Sequence, residues 1–156
     1  MSSQVPRIRR INSDEIDQLI DLCEEHAAYE KSDYVKSDQL NGLTSLLFSE
    51  ESQLICLVVE VDSLLVGYTT LTKQISTWDA CYYLYMDCLY LKETYRGLGI
   101  GQLLLNEIKH IARQEDCSLI QWQTPIDNKR AIKFYEREGA VSKSKRRFFL
   151  ELKDEH

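Results

Sequence analysis

The stretch "ETYRGLGIGQLLLNEI", residues 93–108, brings together half of the six glycines in the chain: Gly97, Gly99 and Gly101. An apolar run, residues 84–91, comes before it. Apolar side chains then recur at helical spacing: Leu103, Leu104, Leu105, Ile108 and Ile111. This order predicts a strand, a glycine-rich loop and a helix of about Gly99 to Gln114.

The chemistry of such a loop suits an anion. Glycines let the backbone turn sharply with converging N–H groups, and no β-carbon blocks a ligand. The start of the following helix adds unsatisfied donors and a positive dipole end, and Arg96 adds a full charge. Two common phosphate motifs are absent: there is no GxxxxGK[ST], and Gln102 stands where GxGxxG needs its last glycine. Taken alone, the stretch predicts a phosphate-binding loop or, equally, a tight turn without a ligand.

The rest of the chain predicts a mixed α/β domain. The strands are expected at residues 6–11, 53–61, 64–73, 80–91, 118–124 and 146–152, with Asp62 and Ser63 as the turn of a hairpin. The helices are expected from a cap at Asn12 or Ser13 to Tyr29 and Glu30, over residues 37–48 and 99–114, and from Asn128 to Glu136.

Length and charge limit the possible functions. A chain of 156 residues with 44% hydrophobic residues suits a single domain spanning residues 1–156. The net charge of −6 argues against nucleic acid as a partner. It fits a cationic small molecule, or simply ordinary solubility.

Cysteine and histidine usage argues against metal and disulfide chemistry. The five cysteines are odd in number and form no CxxC, and the three histidines show no ligand spacing. We therefore expect no metal. No stretch is apolar enough for a signal peptide or a membrane span, so we expect a cytoplasmic protein without a membrane partner.

Two motifs resemble those of the GNAT superfamily of N-acetyltransferases. Its R-x-x-G-x-G motif is matched by Arg96, Gly99 and Gly101. Its second signature, N-x-x-A-x-x-F-Y-x-x-x-G, is matched in "NKRAIKFYEREGA" by Asn128, Ala131, Phe134, Tyr135 and Gly139. The predicted element order also resembles the GNAT fold from residue 7 to 152.

The resemblance implies a fold and a cosubstrate. The fold would be a mixed central sheet, splayed between the fourth and fifth strands, with helices on both faces. Acetyl-CoA would enter the cleft between these strands. The residues implied to bind it are Leu89, Tyr90 and Leu91 along the fourth strand, Arg96, Gly97, Leu98, Gly99, Ile100, Gly101 and Gln102 in the loop, and Asn128, Ala131 and Tyr135 in the second motif.

The resemblance also implies direct transfer of the acetyl group to an amine in a ternary complex, so that no cysteine is needed as a nucleophile. Tyr135 would protonate the departing thiolate, or it packs in the core. The N–H of Leu89 would polarise the thioester carbonyl. Asp87, a carboxylate in an apolar strand, would take the amine proton or hold the ammonium, or is a solvated rim residue.

Within the superfamily, the chain looks most like the diamine and polyamine acetyltransferases. Their Tyr-Glu pair is similar to Tyr29-Glu30, Trp78-Asp79 precede the fourth strand, and Asp87 stands where that branch has glutamate. Tyr29, Glu30, Trp78 and Asp87 are therefore the expected substrate residues. The alternatives are acetylation of an amino acid, an antibiotic or a protein amine, or a non-catalytic coenzyme A sensor. By analogy we expect a homodimer paired through "KSKRRFFLEL", residues 143–152.

Overall fold

The computed structural model describes residues 5–152, which fall into two compact units divided after Pro125. Each unit is described by itself. The first holds a sheet and three helices, and the second, from Ile126, holds one helix.

The first unit is built on a five-stranded mixed sheet whose spatial order follows the chain. Its first four strands pair antiparallel, and the fourth and fifth pair parallel. The strands are β1 (Arg7–Arg10), β2 (Leu54–Val61), β3 (Leu64–Ser76), β4 (Cys81–Leu91) and β5 (Cys117–Trp122). The prediction of a mixed α/β sheet of this connectivity is confirmed.

The two hairpins of the meander have different lengths. Asp62 and Ser63, with φ of 50° and 65°, turn β2 into β3 as predicted. The next hairpin is longer than predicted, because β3 continues past Lys73 and pairs with β4 as far as Ser76 opposite Cys81.

Four helices accompany the strands in the order that the sequence predicted. A short 3₁₀ turn, Ser13–Glu15, leads into the first, and the Glu15 carboxylate accepts the Asn12 N–H at 2.9 Å. The helices are α1 (Ile16–Tyr29), α2 (Lys36–Phe48), α3 (Ile100–Gln114) and α4 (Lys129–Arg137).

The sheet of the first unit is covered on both faces. Four successive residues of β2, Cys56 to Val59, are each at most 3% exposed. Because successive side chains of a strand point to opposite faces, both faces of β2 are buried. One cluster joins Cys56 and Val58 to Leu19 and Leu22 of α1, while α3 packs against β4 and β5.

Helix α3 buries one face. Leu104 and Ile108 are fully buried, and Ile100 and Ile111 are each 4% exposed. Leu103, which the sequence pattern groups with these residues, has a side chain that is 48% exposed. Leu103 comes one residue before Leu104, and a rotation of about 100° per residue turns it toward solvent.

The prediction of a last strand at residues 146–152 was wrong. In the described part of the second unit, residues 140–152 form neither helix nor strand, and Phe148 is 87% exposed. The residues at 146–152 have β propensity, but a strand forms only with a hydrogen-bonded neighbour. Within residues 5–152, this segment pairs with no strand.

Across residues 5–152, no helix combines the length and the apolar character that a membrane crossing requires.

The packing of α3 gives a test with a matched pair. We expect Leu104→Ala to lower the free energy of unfolding by about 2–5 kcal/mol, because it leaves a cavity in the core. Leu103→Ala removes the same atoms from a half-exposed site and is expected to cost about 0.5 kcal/mol. Urea denaturation of both variants measures the difference, and equal losses would contradict this orientation of the helix.

Candidate active site

The pairing between strands β4 and β5 ends half-way along β4. Their parallel pairing begins at Tyr82 opposite Cys117 and ends at Met86 opposite Trp122. β4 continues for five more residues to Leu91, paired on its other side with β3. Within the described residues, no strand pairs with the edge that β5 leaves. The predicted splay between the fourth and fifth strands is confirmed.

The open edge of β4 presents backbone donors. The Lys92 N–H donates to the Val66 carbonyl of β3 at 2.8 Å. Since N–H groups alternate sides along a strand, those of Leu89 and Leu91 face the opposite edge. The backbone N–H that was predicted to polarise a thioester, that of Leu89, therefore lies on the edge that β5 vacates.

A β-bulge sits at the start of this open segment. Thr70 pairs with Cys88, and its neighbour Leu71 pairs with Met86, so Asp87 is the extra residue. Bulges bend a strand and re-aim a side chain. The Asp87 side chain is exposed, and its carboxylate lies 3.6 Å from the Cys88 thiol.

The glycine-rich loop follows β4 after a 3₁₀ turn, Glu93–Tyr95. Gly97 and Gly99 have φ of 76° and 83°, which side chains disfavour, and Gly99 is the residue before α3. Gly101 lies inside the first turn of the helix. The turn alone therefore accounts for two of the three glycines, while the first backbone N–H groups of α3 have no helical carbonyl to bond.

The Arg96 side chain contacts the end of β4 and the end of α1. Its Nε donates to the Leu91 carbonyl at 2.8 Å. Its guanidinium carbon lies 4.5 Å from the centre of the Tyr29 ring and 5.4 Å from that of Tyr90. The sequence predicted this side chain as a pyrophosphate ligand, a role that stays a prediction, and did not predict its contacts with the tyrosines.

The end of α1 meets β3 and β4 at a histidine. His26 Nδ1 lies 2.7 Å from the Tyr68 hydroxyl, and Nε2 lies 3.2 Å from a Glu30 carboxylate oxygen. The imidazole stacks on Tyr90, with ring centres 5.1 Å apart. We call His26, Glu30, Tyr68, Asp87 and Tyr90 the His26 cluster.

Burial sets the charge state of this histidine. It lowers the pKa of His26, against the opposing effect of the Glu30 and Asp87 carboxylates, and Arg96 lowers the pKa further. Both carboxylates thus favour the protonated form of one imidazole, and the expected role of Glu30 and Asp87 in binding the substrate stays a prediction. His26 was missed as a site residue, although its i, i+4 spacing to Glu30 was a usable signal.

The thiols of this region are held in the protonated form. Burial raises the pKa of Cys88 to about 12 and also raises the pKa of Cys23. A thiol with such a pKa is a poor nucleophile at neutral pH.

Trp78 is not part of this assembly. It is 99% exposed in the turn between β3 and β4, next to Asp79, whose carboxylate accepts the Ser76 hydroxyl at 3.1 Å. From Cys81 to Asp87 the strand rises by roughly 20 Å. The length of β4 therefore separates Trp78 from Asp87 within one chain, and the expected role of Trp78 in substrate binding stays a prediction.

The second motif lies on α4 of the second unit. The Asn128 side chain accepts the Ala131 N–H at 3.2 Å and so caps the helix, as predicted. Tyr135 packs its ring against Phe134, with centres 5.4 Å apart. Gly139, with φ of 95°, lies just past the helix end.

Among residues 5–152, no three histidine, cysteine, aspartate or glutamate side chains come together as a metal site would require.

Comparisons with known proteins bear on the family. A sequence profile described as "Acetyltransferase (GNAT) family" matches residues 14–140. Thialysine N-epsilon-acetyltransferase of Bos taurus is 32% identical over 142 residues, which is 85% of this chain and 82% of that protein. Spermidine/spermine N(1)-acetyltransferase-like protein 1 of Homo sapiens is 26% identical over 88% of this chain, though over 21% of its own length.

Solved structures agree on the fold. An integron cassette protein from the mobile metagenome of V. cholerae is 26% identical, with a TM-score of 0.78 and 92% of each chain covered. An aminoglycoside N-acetyltransferase in complex with CoA is 12% identical, with a TM-score of 0.81 over 96% of this chain and 97% of that chain. At 12% identity the likeness concerns the fold alone.

The resemblance drawn from the sequence, to the GNAT superfamily and within it to the diamine and polyamine acetyltransferases, is confirmed. This chain belongs to the acetyltransferase (GNAT) family and is an N-acetyltransferase.

Proposed function

We propose that this enzyme transfers the acetyl group of acetyl-CoA to a primary amine of a small cationic molecule, thialysine or a diamine or polyamine. One observation carries the choice of substrate. Glu30 lies 3.2 Å from His26 Nε2, Asp87 is the bulged residue where β4 leaves β5, and both carboxylates favour the protonated form of His26. Two carboxylates that act on one imidazole near the open strand edge suit a cationic amine. The names of the relatives, which mention thialysine and spermidine/spermine, support the same class of amine.

The open edge and the glycine loop fit an acyl-CoA. The N–H groups of Leu89 and Leu91 suit the amide-bearing pantetheine arm, which would pair with β4 as a strand does. The amides from Gly97 to Gln102 suit the pyrophosphate, with no β-carbon on Gly97 or Gly99 and the helix dipole behind them. The bound cosubstrate supplies an acetyl group activated as a thioester.

Asp87 is the proposed base or anchor for the amine. An ammonium group is not nucleophilic, so its proton must leave before a C–N bond forms. The bulge exposes the Asp87 carboxylate beside the edge that carries the Leu89 N–H, two residues along the strand. In this proposal Asp87 takes the proton, directly or through water, and the Leu89 N–H stabilises the developing negative charge on the carbonyl oxygen.

Tyr135 is the proposed acid. As the C–N bond forms and the C–S bond breaks, its hydroxyl would give a proton to the sulfur. Asn128 and Ala131, on the same helix, would contact the cosubstrate. The raised thiol pKa values of Cys23 and Cys88 support direct transfer without an acyl-enzyme.

Three further expectations stay part of this proposal. The two units act as one catalytic domain, consistent with a family match that spans residues 14–140. The enzyme works as a homodimer in the cytoplasm, and nucleic acid is not among its partners. In this proposal, Trp78 binds substrate in the site of a second copy of the chain.

Mass spectrometry of reaction products tests the proposed substrate. Purified enzyme and acetyl-CoA would be incubated with thialysine, lysine, spermidine, a short diamine, an aminoglycoside and a basic peptide. We expect a mass gain of one acetyl group on thialysine or on a diamine or polyamine. Acetylation confined to the aminoglycoside or the peptide would contradict the proposed substrate class and leave the acyltransferase assignment intact.

Removal of the proposed acid should affect turnover rather than binding. We expect Tyr135→Phe to lower kcat by about a hundredfold, a typical loss for general acid catalysis. Calorimetry should show CoA affinity unchanged within about twofold. The matched control is Tyr82→Phe, which removes a hydroxyl from a half-exposed ring on β4. Full turnover by Tyr135→Phe would remove the assignment.

Neutralising the bulge carboxylate should weaken use of the amine. We expect Asp87→Asn to lower kcat/KM for the amine at least about tenfold with unchanged CoA affinity, because the ammonium loses a charged partner or its base. A drop in kcat identifies a base, and a rise in KM identifies an anchor. Asp62→Asn makes the same chemical change in an exposed turn that suits asparagine. Equal kinetics in the two variants would be evidence against any role for Asp87.

A further inference from the structure

His26 has a polar partner on each ring nitrogen. Nδ1 lies 2.7 Å from the Tyr68 hydroxyl, and Nε2 lies 3.2 Å from Glu30. The His26 side chain is 14% exposed, whereas that of Glu30 is 34% exposed. The histidine thus lies beneath the carboxylate, between it and the buried tyrosine.

The chemistry of these partners determines which atoms carry the hydrogens. Burial lowers the pKa of His26, so the imidazole is neutral near pH 7 and carries one N–H. A carboxylate cannot donate, so that hydrogen lies on Nε2 and points to Glu30. Burial strongly raises the pKa of Tyr68, which keeps its hydroxyl hydrogen and donates it to Nδ1. The chain of donors therefore runs from Tyr68 through His26 to Glu30.

Charged or titratable groups on α1, β3, β4 and the loop contact this imidazole or act on its pKa. They are Glu30 on α1, Tyr68 on β3, Asp87 and Tyr90 on β4, and Arg96 in the loop. Arg96 opposes protonation of His26, and the two carboxylates favour it. A proton taken up here would reduce the negative charge that faces a cationic substrate.

We infer that neutral His26 is a positioning residue, which holds the Glu30 carboxylate toward the cationic amine, and that protonation of His26 pairs this carboxylate internally and weakens amine binding. The inference rests on the proposed function, because it assumes that Glu30 meets the amine. It adds a residue that acts through Glu30 and never touches the substrate.

The direction of the pH effect follows from burial. Because the pKa of His26 lies below its ordinary value of 6.5, the imidazole stays neutral at and above neutral pH. As the pH falls through the lowered pKa, the KM for the amine should rise by up to about tenfold per pH unit, while kcat changes less.

Glutamine at position 26 is the informative substitution. Its amide can donate to Glu30 and accept from Tyr68, as neutral histidine does, but it does not titrate. KM and kcat for the best amine would be measured from about pH 5 to pH 8. We expect His26→Gln to keep the KM of the parent enzyme at pH 8 and to lose the rise at low pH. His110→Gln, at an exposed position of α3, should keep that rise.

A second measurement needs no turnover. Proton NMR of the His26 ring, assigned by its loss in His26→Gln, gives the pKa directly. We expect Glu30→Gln to lower that pKa further, because it removes the anion on Nε2, and Asp62→Asn to leave it unchanged. An unchanged His26 pKa in Glu30→Gln would overturn the pairing.

The two measurements separate the two proposals. If no amine in the panel is acetylated but Glu30→Gln shifts the His26 pKa, the proposed substrate fails and the His26–Glu30 pairing stands. If an amine is acetylated and its KM rises at low pH equally in the parent enzyme and in His26→Gln, the positioning role is overturned while the proposed function stands.

Discussion

The loss of pairing between β4 and β5 beyond Met86 is the constraint from which the site follows. Two parallel strands that stay paired along their whole length would bury every backbone donor between them. Here β4 extends beyond the end of its pairing with β5, and over that length it is paired with β3 alone. The N–H groups on its free edge are thereby held by a rigid sheet while they still lack a strand partner within the described residues. An extended ligand with amide groups can complete that edge at little cost in ordering the protein.

The bulge and the loop place chemistry at the two ends of this edge. Asp87 marks the point where the edge opens, and Gly97 follows where β4 has ended. Arg96 directly precedes Gly97, donates to the Leu91 carbonyl and holds its guanidinium over the Tyr29 ring. Because Asp87, Arg96 and Gly97 follow one another along β4 and its loop, the backbone sets the distance from Asp87 to the start of α3.

Sequence alone predicted the parts of this protein that depend on local pattern. Three of these parts depend on interactions between residues that lie close together in the sequence: the helical period of α3, the Asp62-Ser63 turn and the Asn128 cap. The His26–Tyr68 bond joins α1 to β3 across 42 positions, and it depends on the register of the sheet. The bulge at Asp87 has no local signature either, because it exists only as a mismatch between two strands.

The errors have the same origin. Residues 146–152 have the composition of a strand, but a strand is a property of a pair, and the described residues supply no pair for it. Trp78 stands a few residues before β4 in the sequence, yet the length of β4 sets it far from Asp87. Closeness in the sequence was a poor guide to closeness in space there, because each residue of an extended strand adds about 3.3 Å.

The burial of the thiols near β4 has a consequence for chemical compatibility. A free thiolate exchanges readily with thioesters, so an enzyme that handles one would acetylate itself if a cysteine near its site were ionised. With a pKa of about 12, Cys88 is ionised at neutral pH in a fraction on the order of 10⁻⁵. A residue that directly follows Asp87 in the strand is in this way kept inert toward the very bond that the enzyme breaks. Burial, which elsewhere serves folding, here protects the acetyl donor from the protein itself.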